Sequence, residues 1–590
     1  MGESRIPLAY EDALETRHSG VPASIEPGGR LRRIAVQLRR RPALWAFISL
    51  AAAQVAAVPW HLWLARGNTF YAEELGYALD FEGLGSGLVH LWAGWFFPLT
   101  LLVYNIVFST SGLETYLPLQ IFSLLCNAAL VWAVFWYCRR ISRPWAGATL
   151  GVFLLCFGYA TETVLLPAMA YNAIGVAALP ASLALLLRDR RSADRGAFAI
   201  LLVAMGFAGP VFLTACVGVG IWLLLQQPVS WRRLYVAGIP ALAYALIYAI
   251  SIATQETLSV VGGGVEGGLL AIPRNLLNAP AYILEAGSTA GAAIAGIGRP
   301  LGNIFFPIGL AAMWIGAKRV SRETRAHVLA LFGAALSAWL LLAATRAPGQ
   351  FGSASAQRYV IYGAVPLLLI GVHLTKDVPT LGRGIVFVLI AASVALNSAA
   401  LTRFAEDYRL INEVQRARYA ALDLLGSRAP AEYNPSRATT LSLDVIDAHH
   451  WIDIRRRLGS FAFRLSELPS AHAAARNEFD RVLREAGGIK ISSELLEEKG
   501  GPSASCTSGW RATELTLPRN GIDIAATEEE WVTLGFRRLG NSYQQPPNGI
   551  VPSGKRVRVT PVADALRTPW AIVLKGHFRA CEIAPSAQAG

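Results

Sequence analysis

The chain has 590 residues, 54% of them hydrophobic and only 16% charged, with 16 tryptophans and a mean hydropathy of +0.41. Soluble globular domains do not carry this balance; it is that of a polytopic α-helical membrane protein in contact with a lipid bilayer. The formal charge of +13 does not call for nucleic acid as a partner, because the arginines fall between apolar runs rather than along one polar face.

Residues 1–42 are polar and end in the basic run RLRRIAVQLRRRP, which reads as a cytoplasmic tail. The apolar stretch 43–64 follows and is long enough, at 1.5 Å per residue, to cross a ~30 Å hydrocarbon core. It is an anchor rather than a cleaved signal, since Pro59, Trp60, His61 and Trp63 stand where small residues would mark a cleavage site. Just past it, NTFYAEELGYALDFEG sets Glu73 beside Glu74. Orientation depends on Lys and Arg, so these acids have no topological reason to be there. They are either catalytic or solvated acids capping an interfacial helix.

Further spans are expected near 116–138, 145–160, 164–187, 196–210, 211–226, 234–253, 301–317, 326–344, 359–374 and 384–401, about eleven in all. The basic loops check this order: Arg139-Arg140, 188–195, 231–233, 318–325 and 376–383 must share one side. They do so only if WFFPLTLLVYNIVFST, at 95–110, lies in the outer interface instead of crossing. Its neighbours Trp92, Trp95, Phe96 and Phe97 suit headgroup level. The transmembrane part is then 43–401, with outer loops at 65–115 and 254–300. Residues 402–590 form an extracytoplasmic α+β domain, and the whole is a multi-pass protein of the plasma membrane.

Within the tail, 405–427 continues the helical pattern of the last span. SAHAAARNEFDRVLREAGG reads as a second helix ended by Gly487-Gly488, and short strands are expected from about 528. The run LDVIDAHHWIDIRRR gathers Asp444, Asp447, His449, His450 and Asp453, but its spacing fits neither a helical His pair nor a calcium loop. It reads as polar surface and inter-strand contacts, and no metal site is assigned. Cys126, Cys138, Cys156 and Cys216 fall singly in spans as small buried residues. Cys506 and Cys581 are a pair in an oxidising compartment, expected as a disulfide, with free thiols the alternative.

The expected spans hold almost no Asp or Glu, whereas ion-coupled transporters keep ionisable groups near the midplane. The acids sit at the outer mouths, with Glu162 at a span end, which suits an enzyme acting at the outer leaflet. The layout resembles that of the GT-C superfamily of integral membrane glycosyltransferases. The matching stretches are FYAEEL, GLVHLWAGWFFPLTLLVYNIVF through YCRR, CFGYATETVLLPAMAYN, and SASAQRYVIYGAVPLLL at 353–369. The likeness extends over about 43–401, and actinobacterial members also carry a C-terminal external domain.

The resemblance implies inverting transfer of a sugar from a polyprenyl-phosphate carrier to an envelope glycan, glycolipid or protein acceptor. Glu73 aligns with the family's first acid and is the expected base, with Glu74 its neighbour; the family usually has Asp at the first position. Arg358, and secondly Arg346, would stabilise the departing phosphate, or else anchor span ends against headgroups. His90 and Glu162 would contact acceptor or sugar. No cofactor is assigned, and participation of a divalent metal stays open. The loop 254–300, with VGGGVEGG, has the flexibility of a gate over substrate. The alternatives are a lipid or glycan transporter and a non-catalytic glycan-binding or assembly protein.

Overall fold

The computed structural model describes residues 41–583, apart from 71–72, 89–90, 93–95, 227–228, 254–256, 259–274, 346–355, 377–379, 436–445, 493–504, 528–529 and 547–548. Among the described residues nine helices are long and apolar enough to cross a membrane, or ten if one bent pair is a single crossing. The first is α1 (Pro42–Leu64), with α4 (Leu117–Ile141) later in the chain. Between them lie the short α2 (Glu73–Leu79) and α3 (Pro98–Ser111). At 14 residues, α3 rises only about 21 Å and is too short to cross.

The bent pair is α5 (Pro144–Leu155) and the segment Gly158–Leu165, a 3-10 turn running into α6 (Thr161–Leu165), with 56° between them. A break in a span frees backbone carbonyls that lipid cannot satisfy, so side chains from neighbouring helices must do so. His61 bonds the Leu155 carbonyl at 2.8 Å, while Ser123 and Asn127 bond that of Val164 at 3.1 and 2.9 Å. Gly158 sits inside the break against the Asn397 carbonyl, where a Cβ would collide with that oxygen. The next helix, α7 (Pro167–Leu186), starts at a proline whose missing N–H costs nothing there.

Residues 191–225 form one 35-residue apolar stretch, about 52 Å if straight. It is not straight. Arg233, beyond its far end, bonds Asp194 at 2.6 Å, Asp189 at 3.1 Å and the Leu186 carbonyl at 3.0 Å, all near its beginning. The stretch is therefore a hairpin of α8 (Arg191–Ala208) and α9 (Phe212–Leu225), reversing at Gly209 (φ 52°) and Pro210.

The bundle continues through α10 (Tyr235–Ala253), α11 (Ala279–Ala295), α12 (Arg299–Arg319), α13 (Arg322–Thr345), α14 (Gln357–Thr375) and α15 (Thr380–Leu425). The segment expected as the loop 254–300 thus contains a 17-residue helix, α11, packed into the bundle: Asn397 bonds the Ala293 carbonyl, and Phe306 fills the space over Gly287. The glycine-rich part of that loop lies outside the described residues. Strand β1 (Leu91–Trp92) pairs in parallel with β2 (Thr257–Leu258), tying the two long loops together.

One end of the bundle is basic. There Tyr137 bonds His327 and His373 at 3.0 and 2.9 Å, Trp222 donates to His327 at 3.2 Å, and Lys376 donates to Thr324 at 2.8 Å. Cys126, Cys138 and Cys216 are buried free thiols, and Cys156 is half-buried.

Helix α15 runs unbroken from the bundle into the C-terminal domain, as the 405–427 pattern led one to expect. Beyond it come α16 (Ala448–Leu458), α17 (Ala473–Leu483) and two antiparallel sheets. One has the order β5–β10–β7–β8, from β5 (Thr513–Thr516), β7 (Val532–Arg537), β8 (Ile550–Val551) and β10 (Ala571–Lys575). The other has the order β3–β9–β6–β11–β4, from β3 (Ile489–Ser492), β4 (Cys506–Gly509), β6 (Ile522–Ala526), β9 (Arg556–Pro561) and β11 (Phe578–Glu582). Strands therefore begin well before 528. Cys506 and Cys581 stand opposite each other on β4 and β11 and are joined by a disulfide.

The His- and Asp-rich run is not a strand contact. Asp447 caps α16 by accepting from the His450 N–H at 2.9 Å, and Trp451, Ile454 and Leu458 bury one face. Asp444 lies outside the described residues. A single core joins α2, α3, α15–α17 and both sheets, so the acidic segment after α1 is packed under the C-terminal domain.

Candidate functional site

A cavity of about 50 Å³ lies where bundle and domain meet, lined by Glu73, Glu74, Tyr116, Glu162, Leu166, Ala168, Met169, Arg358 and Tyr408. Four of the six site residues expected from sequence converge here: Glu73, Glu74, Glu162 and Arg358. His90 and Arg346 lie outside the described residues.

Three separate helices place these four side chains. Glu73 and Glu74 open α2, where the helix dipole favours carboxylates. They are consecutive, so they point in different directions. Glu74 is fully buried; the Tyr104 hydroxyl donates to its Oε1 at 2.6 Å, and the Tyr116 hydroxyl lies 2.9 and 2.8 Å from its two oxygens. Burial, then the Glu74 charge, pushes both phenols well above their ordinary pKa, so they stay protonated and keep donating. Glu73 is half-buried, and among the described residues it carries no hydrogen bond.

Glu162 sits on α6, the short helix beyond the break, held there by the same side chains that satisfy the freed carbonyls. Tyr408, on the part of α15 that leaves the bundle, donates to Glu162 Oε1 at 2.9 Å. Arg358, at the start of α14, approaches Glu162 Oε2 at 3.9 Å and lies 5.2 Å from the Tyr359 ring centroid. Glu73 is near enough to interact electrostatically with both Glu162 and Arg358.

The cavity therefore offers three carboxylates and one guanidinium, with Glu74 restrained by phenols, Glu162 shared between Arg358 and Tyr408, and Glu73 the least engaged. Such a set can accept a proton, bond sugar hydroxyls and attract a phosphate to one cationic corner. Among the described residues there is no group of three or more His, Cys, Asp or Glu suited to hold a metal ion.

Sequence reasoning missed the three tyrosines. Tyr116 immediately precedes α4, and Tyr408 lies two turns beyond Leu401 on the continuation of the last span; neither position carries a local motif. No family model matches the sequence, and a search of curated proteins returns no significant relative.

Proposed function

We propose that this is a membrane glycosyltransferase of GT-C type that moves a sugar from a polyprenyl-phosphate carrier to a glycan, glycolipid or protein acceptor. The carrying observation is the convergence of Glu73, Glu162 and Arg358 on one cavity at the end of the bundle opposite its basic loops. By the preference of basic loops for the cytoplasm, the cavity faces the outer leaflet of the plasma membrane. The hairpin at Gly209 and the bent pair bring the proposed number of crossings to eleven.

In this reading the acceptor hydroxyl approaches the anomeric carbon opposite the carrier phosphate. Glu73 takes the hydroxyl proton as the new C–O bond forms, and the old bond breaks with its electron pair passing to the phosphate oxygen. Arg358 stabilises that departing charge, its planar fork matching phosphate oxygens. Glu162 and Tyr408 orient Arg358 and bond sugar hydroxyls. Glu74, tied to two phenols, positions α2 rather than exchanging protons. The Glu-for-Asp exchange at the family's first acid lengthens the base by one methylene, a displacement that must be matched in the pocket, since about 1 Å of misplacement costs ~10²-fold.

The test uses the full chain in lipid nanodiscs with polyprenyl-phosphate-linked pentose and hexose donors and envelope glycan acceptors. Glu73→Gln is expected to lower transfer by about 10²–10⁴-fold while donor binding changes little. Full transfer by Glu73→Gln would refute the assignment. Carrier movement across sealed vesicles that is indifferent to Glu73 would favour a transporter.

A further inference from the structure

Helix α2 has seven residues, too few for its own hydrogen bonds to hold it, and its first residue is Glu73. Its two ends are fastened from different directions. At the start, Glu74 is bonded by Tyr104 and Tyr116. At the other end the last carbonyls of a helix have no partner within it, and here Arg457 of α16 provides one. Its Nη2 donates to the Ala78 and Leu79 carbonyls at 3.4 and 3.2 Å, and its Nη1 to the Phe81 carbonyl just beyond. A cation is also favoured at a helix C-terminus by the dipole. Arg457 pairs with no carboxylate among the described residues, so its guanidinium serves these three oxygens alone. Its neighbour Arg455 instead lies 3.3 Å from Asp423.

Helix α16 is in turn fastened to α15. Asp423 of α15 accepts from the Trp451 indole N–H and from the Ser460 hydroxyl, both at 2.9 Å, and Trp451, Ile454 and Leu458 are buried. The Leu458 carbonyl accepts from the Leu113 N–H at 2.7 Å, in the turn that leads to Tyr116. The same α15 carries Tyr408, which donates to Glu162. Tyr408 and Asp423 stand about four turns, or ~22 Å, apart on one unbroken helix. One element therefore supports Glu162 directly and the segment carrying Glu73 through α16.

We propose that Arg457 is a positioning residue: by holding three backbone carbonyls it sets the rotation of α2 and so places Glu73 against Glu162 and Arg358. The proposal rests on the reading of Glu73 as the base. Were α2 fastened at Glu74 alone, it could turn about that anchor and swing the Glu73 carboxylate out of line, and about 1 Å of misplacement costs ~10²-fold. A rigid planar fork on three oxygens removes that rotation, which a single contact would not. Arg457 reaches neither Glu73 nor the cavity, so its effect passes entirely through the backbone of α2.

The test compares the wild type with Arg457→Met, which keeps an apolar stem and removes the donors, and Arg457→Lys, which keeps the charge and three donors. Full chains in nanodiscs are read by hydrogen exchange over residues 73–81, by the unfolding midpoint and by steady-state transfer. Arg457→Met should quicken exchange over 73–81 and lower kcat about tenfold or more, with the donor KM and the unfolding midpoint unchanged, because Arg358 and Glu162 are held elsewhere. Arg457→Lys should recover most of the lost kcat. Unchanged exchange over 73–81, unchanged kcat, a loss of kcat matched by an equal loss of folded protein, or a lysine variant no better than the methionine one would each overturn the proposal. A wild type that transfers nothing, with exchange over 73–81 still quickened by Arg457→Met, would instead refute the transfer reaction and leave the hold of Arg457 on α2 standing.

Discussion

Removing the Tyr116 hydroxyl tests how the acidic segment is held. Glu74 has no exposed surface, and its carboxylate accepts from Tyr104 at 2.6 Å and from Tyr116 at 2.8–2.9 Å. A hydrogen bond to a buried charge contributes about 1.5–3 kcal/mol, so Tyr116→Phe should destabilise by about that much. Tyr104→Phe should cost a similar amount, because each phenol supplies one proton. If the carboxylate charge is what the phenols serve, their loss must matter less once it is gone: in a Glu74→Gln background Tyr116→Phe should cost about 1 kcal/mol or less. The measurement is a denaturant-unfolding midpoint of the detergent-solubilised chain for the wild type, the three single variants and the double variant. Wild-type stability of Tyr116→Phe, or an equal cost whether or not Glu74→Gln has removed the charge, would refute the account.

Gly112 reverses the chain after α3 at φ 56°, and a Cβ there would collide with the Leu458 carbonyl oxygen, backbone that cannot swing aside. Gly112→Ala should cost about 2–5 kcal/mol from backbone strain and overpacking together and loosen the loop from α16, read as faster proteolysis there. Acid should weaken the C-terminal domain through Glu478. Burial raises its pKa, but the guanidiniums of Arg481 and Arg418, at 2.7–2.8 Å, outweigh that and hold it below the ordinary carboxylate value. The stability it contributes is therefore complete above the unfolded pKa of about 4.3 and lost as pH falls through the lower folded value. Unfolding midpoints between pH 6 and 3 should fall, and Glu478→Gln should flatten that fall; a fall unchanged by the substitution would exclude Glu478 as its source.

The membrane helices were legible because some twenty apolar residues in a row have one physical use. So was the reversal at Gly209-Pro210, where a residue free to take positive φ precedes one that cannot continue a helix. The short strands CTSG, TELT and IDIAA were not: the first two are half-exposed and polar, and their pairing partners are up to 75 residues away. The capped helix at 448–458 carried a local signal, Asp447 followed by Trp451, Ile454 and Leu458 at helical spacing, which the cluster of His and Asp obscured. The convergence of Glu74 with Tyr104 and Tyr116 could not be read, since it joins three segments up to 42 residues apart with no local motif linking them.

Why the cavity should be rigid follows from its supports. Tyr116 precedes α4 and Arg358 opens α14, while at the other end of the same two helices Tyr137 and His373 are hydrogen-bonded at 2.9 Å. An indole N–H only donates, so Trp222 fixes His327 Nε2 as an acceptor; a neutral His327 then donates from Nδ1 to the Tyr137 oxygen, leaving the Tyr137 proton for His373. The order of donors runs one way, with every bond made by a different helix pair. Helices clamped so at one end cannot slide past each other at the other. Arg358 is thus held by elements rather than loops, and Glu162 by a helix whose freed carbonyls are bonded across to its neighbours. Of the two consecutive acids on α2, Glu74 is fastened by two phenols, while Glu73 carries no hydrogen bond among the described residues. The proposed base, which must reach a hydroxyl and then release a proton, is best placed as Glu73 is: on a backbone anchored through its neighbour, with no hydrogen bond of its own among the described residues to break first.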